Sequence, residues 1–208
     1  MPAQRPAQRP LPIGWIVLAI AVFIAGYSFV RLRYAKPGKT FEPSHDIGER
    51  VGVKRLLALG YQRIPVDFSR PAEPLAPGRV APAPAAVSSA PGGLPAELAG
   101  ALAPKPDIPN SVADVAAPGE VAAAGTYTLQ FTCAQTDYRT QIGGILLFRK
   151  GREIFLLPTF EPVPSKMLAR WKETTVVAGF PTKSLGPGRY TAVICGDRSS
   201  RRWEFTVR

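Results

Sequence analysis

Two thiols, one imidazole and an excess of cations are the chemically versatile groups of this chain. Cys133 and Cys195 are the only cysteines and His45 the only histidine, while 26 Lys and Arg stand against 15 Asp and Glu, a formal net charge of +11 in 208 residues. A thiol becomes a nucleophile only where a neighbour lowers its pKa or takes its proton. The sequence fixes no base near either cysteine, and His45 has no partner at ligand spacing, so neither thiol catalysis nor a metal site is expected. The chain also lacks a glycine-rich phosphate loop, a paired-histidine metal motif and a nucleophile elbow. Glu153 and Glu161 stand at no spacing that defines an acid–base pair. The expectation is a protein without catalytic activity, cofactor or metal.

Recognition is the chemistry that remains. The segments "AQTDYRTQ" after Cys133 and "GDRSSRR" after Cys195 carry Tyr138, Arg139, Arg198, Arg201 and Arg202. Tyrosine and arginine combine contact area with directional hydrogen bonding, the side-chain chemistry of interface hot spots. These five are the candidate partner-binding residues, and a protein complex in a membrane is the expected partner. Residues 126–208 hold thirteen Lys and Arg against six Asp and Glu, so an anionic polymer or nucleic acid is the second reading. The charges are scattered and no stacking-aromatic motif of a nucleic-acid reader is present, which ranks nucleic acid below protein. The plainer alternative is that both segments are solvated hairpin tips with no partner.

The elements that must present these segments read as strands. In "TYTLQFTC", Tyr127, Leu129, Phe131 and Cys133 share one face, the period of a half-buried strand. "GGILLFRKGREIFLLP" predicts a hairpin turning at Arg149 to Gly151, with Gly151 at positive φ. "ETTVVAGF", "GRYTAVIC" and "RRWEFTVR" complete the set, and "PSKMLARW" predicts one helical turn capped by Ser165 with Met167, Leu168 and Trp171 turned inward. The fold class expected is all-β, an antiparallel sandwich over residues 113–208.

"LGPGRY", Leu185 to Tyr190, resembles the turn before the penultimate strand of immunoglobulin-like and fibronectin-like modules. The resemblance covers the last eighty or so residues and implies that fold, not an activity. It also implies a pairing: Cys133 and Cys195 have nearly the spacing of the inter-sheet disulfide of immunoglobulin domains. Tyr190 stands five residues before Cys195, not two, and Trp171 follows the hairpin, both departures from the family pattern. Two outcomes stay open, a disulfide clamping one end of the domain or two separate thiols. A persistent bridge would place the domain in an oxidising compartment.

The N-terminal half is organised differently. After a disordered tail, residues 1–11, the uncharged run "PIGWIVLAIAVFIAGYSFV" predicts a transmembrane helix over 12–34. Trp15, Tyr27 and Tyr34 suit the membrane interface, and Arg31 and Arg33 mark its edge. This anchor would make lipid a partner and the protein single-pass. The extracytoplasmic side is expected for the C-terminal domain, with the cytoplasmic side, favoured by the local arginine count, as the alternative. Residues 35–70 predict a juxtamembrane segment with a short basic amphipathic helix ending at Gly60. Residues 71–112, rich in Pro and Ala and poor in aromatics, predict an extended linker with a reach on the order of 150 Å.

Overall fold

The computed structural model describes residues 13–34, 52–135, 137–163, 168–169 and 171–208. It divides into two units, Met1–Pro43 and Ser44–Arg208. In the first, the described part is one helix, α1 (Ile13–Tyr34), with side chains 14–29 exposed. The transmembrane assignment is corrected here: among the described residues no helix is long and apolar enough to cross a membrane. The single-pass placement and both proposed orientations fall with the anchor. Trp15 and Tyr27 are exposed positions of α1, and Arg31, Arg33 and Tyr34 belong to its final turns.

The second unit is mostly β, a single curled mixed sheet. It opens with α2 (residues 52–58), followed by β1 (Tyr61–Ile64), β2 (Asp67–Ser69), α3 (Pro77–Val80), β3 (Ser88–Pro91) and α4 (Ala96–Ala101). Then come β4 (Ser111–Ala116), β5 (Glu120–Val121), β6 (Thr126–Ala134), β7 (Thr140–Lys150), β8 (Glu153–Pro162), β9 (Glu173–Pro181), β10 (Gly188–Ile194) and β11 (Ser199–Val207). The sheet runs β1-β7-β8-β10-β11-β4-β6-β9-β2, with β3 and β5 also pairing β11. Its two ends are β1 and β2, which only Pro65 and Val66 separate in the chain. One extended segment therefore lines both edges, hydrogen-bonding β7 with its first half and β9 with its second.

The all-β expectation stands; its antiparallel detail does not. β8 runs parallel to β10, and β11 meets β4 in parallel at Ser199 and Ser111, whereas immunoglobulin sheets are antiparallel. The individual strand readings hold. Tyr127, Leu129, Phe131 and Cys133 are buried along β6, and the β7–β8 hairpin turns at Gly151 with φ +60°. "LGPGRY" folds as a turn into β10: the Tyr190 hydroxyl donates to the Gly186 carbonyl at 2.8 Å, and Leu185 is buried. The predicted turn "PSKMLARW" lies largely outside the described residues. Of its described residues, Leu168 and Trp171 are exposed and not turned inward.

Two hydrophobic cores explain why β8 departs from simple alternation. Ile154 and Leu156 face the inner core with Leu129, Phe131 and Trp203, while Phe155 and Leu157 face a second core with Leu56, Tyr61 and Leu98. A continuous apolar run such as "IFLL" is the mark of a strand covered on both faces. The cover comes from α2 and α4. Gly52 permits the approach, since a Cβ there would lie 3.1 Å from the Ala101 carbonyl oxygen. Gly60, at φ +81°, ends the α2 turn as predicted, its N–H donating to Leu57.

The linker reading over 71–112 is therefore corrected. Leu98 is 0% exposed, Val80 and Ala81 are buried, and β3 pairs with β11 across Ser199–Arg202. Low hydrophobicity misled because few anchors are required when a formed sheet supplies the other side of each contact. Proline also removes backbone donors that would otherwise need partners on the sheet surface. The juxtamembrane reading of 35–70 is revised likewise, since residues 61–69 are strands of the sheet.

Candidate functional site

Strands β6 and β10 deliver the two arginine-bearing loops to one end of the second unit. Asn110 joins them: its N–H donates to Ala134 at 2.9 Å, and its carbonyl accepts from Arg198 at 2.9 Å. The Asp197 N–H adds a bond to Pro109 at 2.7 Å. The root of one loop and the start of the other thus flank residues 109–111, and Tyr138, Arg139, Arg198 and Arg202 are exposed. Arg201 is only half exposed and donates from Nε to the Val112 carbonyl at 3.0 Å, which gives it a structural task. Arg202 accepts from the Ser88 hydroxyl through its main-chain carbonyl, leaving the guanidinium outside that bond.

The Tyr138 loop is internally tied. The Arg139 N–H donates to Asp137 Oδ1 at 2.9 Å, the turn that a short acidic side chain favours. The Gln135 N–H donates to Lys172, and its side-chain amide is placed to donate to the Asp137 and Thr140 carbonyls. The Lys172 ammonium lies 5.0 Å from the centroid of the Tyr138 ring. A ring held by a cation and a tied backbone loses less freedom on docking than a loose one.

The thiols resolve into the second of the two outcomes. Cys133 and Cys195 are free and buried, one in the inner core and the other in the outer core. The disulfide clamp is corrected by that separation, because the sheet lies between the two clusters. Burial in apolar surroundings pushes the Cys195 thiol up to about 12 and the Cys133 thiol upward as well. Neither is a thiolate at neutral pH, the form a nucleophile or metal ligand requires.

A second feature was not foreseen from the sequence. On the outer face of β4, β6 and β9 a groove of about 740 Å³ runs between the Pro74–Pro77 wall and Trp171. Thr132 and Thr175 form its floor, their hydroxyls 3.2 Å apart. Asp114 enters from a β-bulge between Ala113 and Ala116, with φ +49°. The period-two pattern of β6 already placed Gln130 and Thr132 on the outer face. The bulge and the wall have no sequence signature, since both depend on segments brought together by the fold.

No family model matches this chain, and neither the curated proteins nor the solved structures compared with it contain a match.

Proposed function

We propose that this protein is a non-catalytic binding or assembly module that docks on an acidic partner protein through the loop end of its second unit. On this reading the two arms of the curled sheet form a distorted immunoglobulin-like sandwich that holds the loops apart from its cores. One observation supports the reading: Asn110 bonds both Ala134, at the root of one loop, and Arg198, in the other, and Tyr138, Arg139 and Arg198 are exposed. The buried thiols support the non-catalytic part, because their raised pKa withholds the nucleophile.

The test is a photo-crosslinking residue at position 138 in the full chain, expressed in its native host. A discrete adduct is expected, and it should disappear in the Arg139→Glu/Arg198→Glu variant while the thermal midpoint stays unchanged. An adduct indifferent to charge reversal would sink the proposal. The second reading, an anionic polymer bound by the basic surface, makes a different forecast for polyglutamate and for a short single-stranded oligonucleotide. Binding would then fall linearly in log–log form with salt and show no dependence on Tyr138.

A further inference from the structure

We infer that the groove on the outer face of β4, β6 and β9 is a binding site for a neutral saccharide. Its volume of about 740 Å³ is on the scale of pockets that hold a ligand of a few rings. Trp171 borders it and is 66% exposed. An indole gives a flat apolar surface, and the C–H face of a pyranose can lie on it while the sugar hydroxyls keep their hydrogen bonds. The Thr132 and Thr175 hydroxyls share one hydrogen between them, so one hydroxyl proton and several lone pairs remain for the groove. Asp114 and Glu173 supply acceptors and Lys172 supplies donors along the same lining. Sugar hydroxyls both donate and accept, so they can use all of these groups.

Charge selects the ligand class. Two carboxylates against one ammonium in the lining disfavour an anion, while the excess of 20 Lys and Arg over 14 Asp and Glu in Ser44–Arg208 disfavours a cation at longer range. A neutral polyhydroxylated ligand is opposed by neither field. The groove is also held in shape by a dedicated clamp. Gln130 is 5% exposed, and both ends of its amide are spent on one residue of the wall. The Leu75 N–H donates to Gln130 Oε1 at 2.8 Å, and Gln130 Nε2 donates to the Leu75 carbonyl at 3.0 Å. Asp114, in the left-handed region, is turned off the ladder by the bulge beside it. Bulges and strained non-glycine residues of this kind re-aim side chains at binding sites. Gln130 acts as a positioning residue, and Trp171 and Asp114 as contact residues. This inference does not rest on the arginine-bearing loops.

The experiment is a titration of the full chain, with indole-labelled tryptophan, against cellotriose, chitotriose, maltotriose and xylotriose. One of the four is expected to move the Trp171 indole N–H signal saturably, with a Kd between about 10 μM and 1 mM, while the buried Trp203 signal stays still. Trp171→Ala should weaken that binding about tenfold or more, and Trp171→Phe should retain part of it. Asp114→Asn should weaken it with an unchanged thermal midpoint, which gives a second reading should the tryptophan variant fail to fold. Absence of a Trp171 shift with all four sugars at about 10 mM, far above the affinities typical of specific sites, overturns the inference. Saturable shifts from polyglutamate or a polylysine peptide in place of the sugars overturn it too, as does sugar binding that persists undiminished in Trp171→Ala.

Discussion

The strands of residues 126–207 and the proline- and alanine-rich segment of residues 71–121 belong to one unit but are held by opposite means. The strands bury an alternating apolar face and pair along continuous ladders, nine residue pairs between β6 and β9 alone. The wrapping segment is secured at separate points. Leu98 fills the outer core, Gln130 grips the Leu75 backbone, and β3 adds a four-residue ladder to β11. A buried polar chain completes the attachment: the Trp203 indole N–H donates to the Tyr127 hydroxyl at 2.8 Å, and that hydroxyl donates to the Pro118 carbonyl at 2.7 Å. The contrast shows that a segment too polar to fold alone can still be ordered when a completed sheet provides the matching surface. Its prolines help, because they leave less backbone entropy to lose on ordering.

The comparison can be broken by mutation. Phe131→Ala should be the most damaging change, costing about 3–5 kcal/mol by emptying the inner core. Urea unfolding followed by far-UV circular dichroism should show both regions lost in one transition. Leu98→Ala should cost about 2–4 kcal/mol, with a different footprint. Hydrogen exchange should quicken in α4 and its neighbours while β6 and β9 amides keep their protection. Equal loss of protection in β6 would mean the wrap is part of the core and not a cover.

Gln130→Leu should cost about 1 kcal/mol, since the Leu75 groups it releases are near solvent and can bond water. Limited proteolysis should then cut between residues 70 and 80 in the variant before the parent. The smallest effect at neutral pH belongs to the thiols and emerges only in alkali. Burial raises the Cys195 pKa from its ordinary 9.0 to about 12, so the folded thiol keeps a proton that the unfolded one releases. The unfolded state then binds fewer protons, and stability present below pH 9 is lost as the pH climbs toward 12. Cys195→Ala should flatten the fall of the urea midpoint across that window. Thiol reagents at pH 8 should label the parent only after unfolding.

Much of the loop end was legible in the sequence. Alternation in "TYTLQFTC" and the turn in "LGPGRY" located the strands that carry Tyr138, Arg139, Arg198 and Arg202, and the Gly151 hairpin followed from its turn residue. The Arg201 bond to the Val112 carbonyl was not legible, because it joins residues 89 positions apart. Trp171 was expected inward on helical spacing, yet it borders a groove whose opposite wall comes from Pro74 to Pro77.

What the sequence determined by itself was local: which residues alternate and where turns with special φ fall. Those properties depend on sterics and periodicity within a few residues. The tertiary structure alone decided that β8 lies parallel to β10, that the proline-rich segment is a cover and not a spacer, and that the two cysteines occupy separate cores. Each of those outcomes depends on which distant surface becomes available for burial, and that is set by the folded sheet and not by the composition of the segment that docks on it.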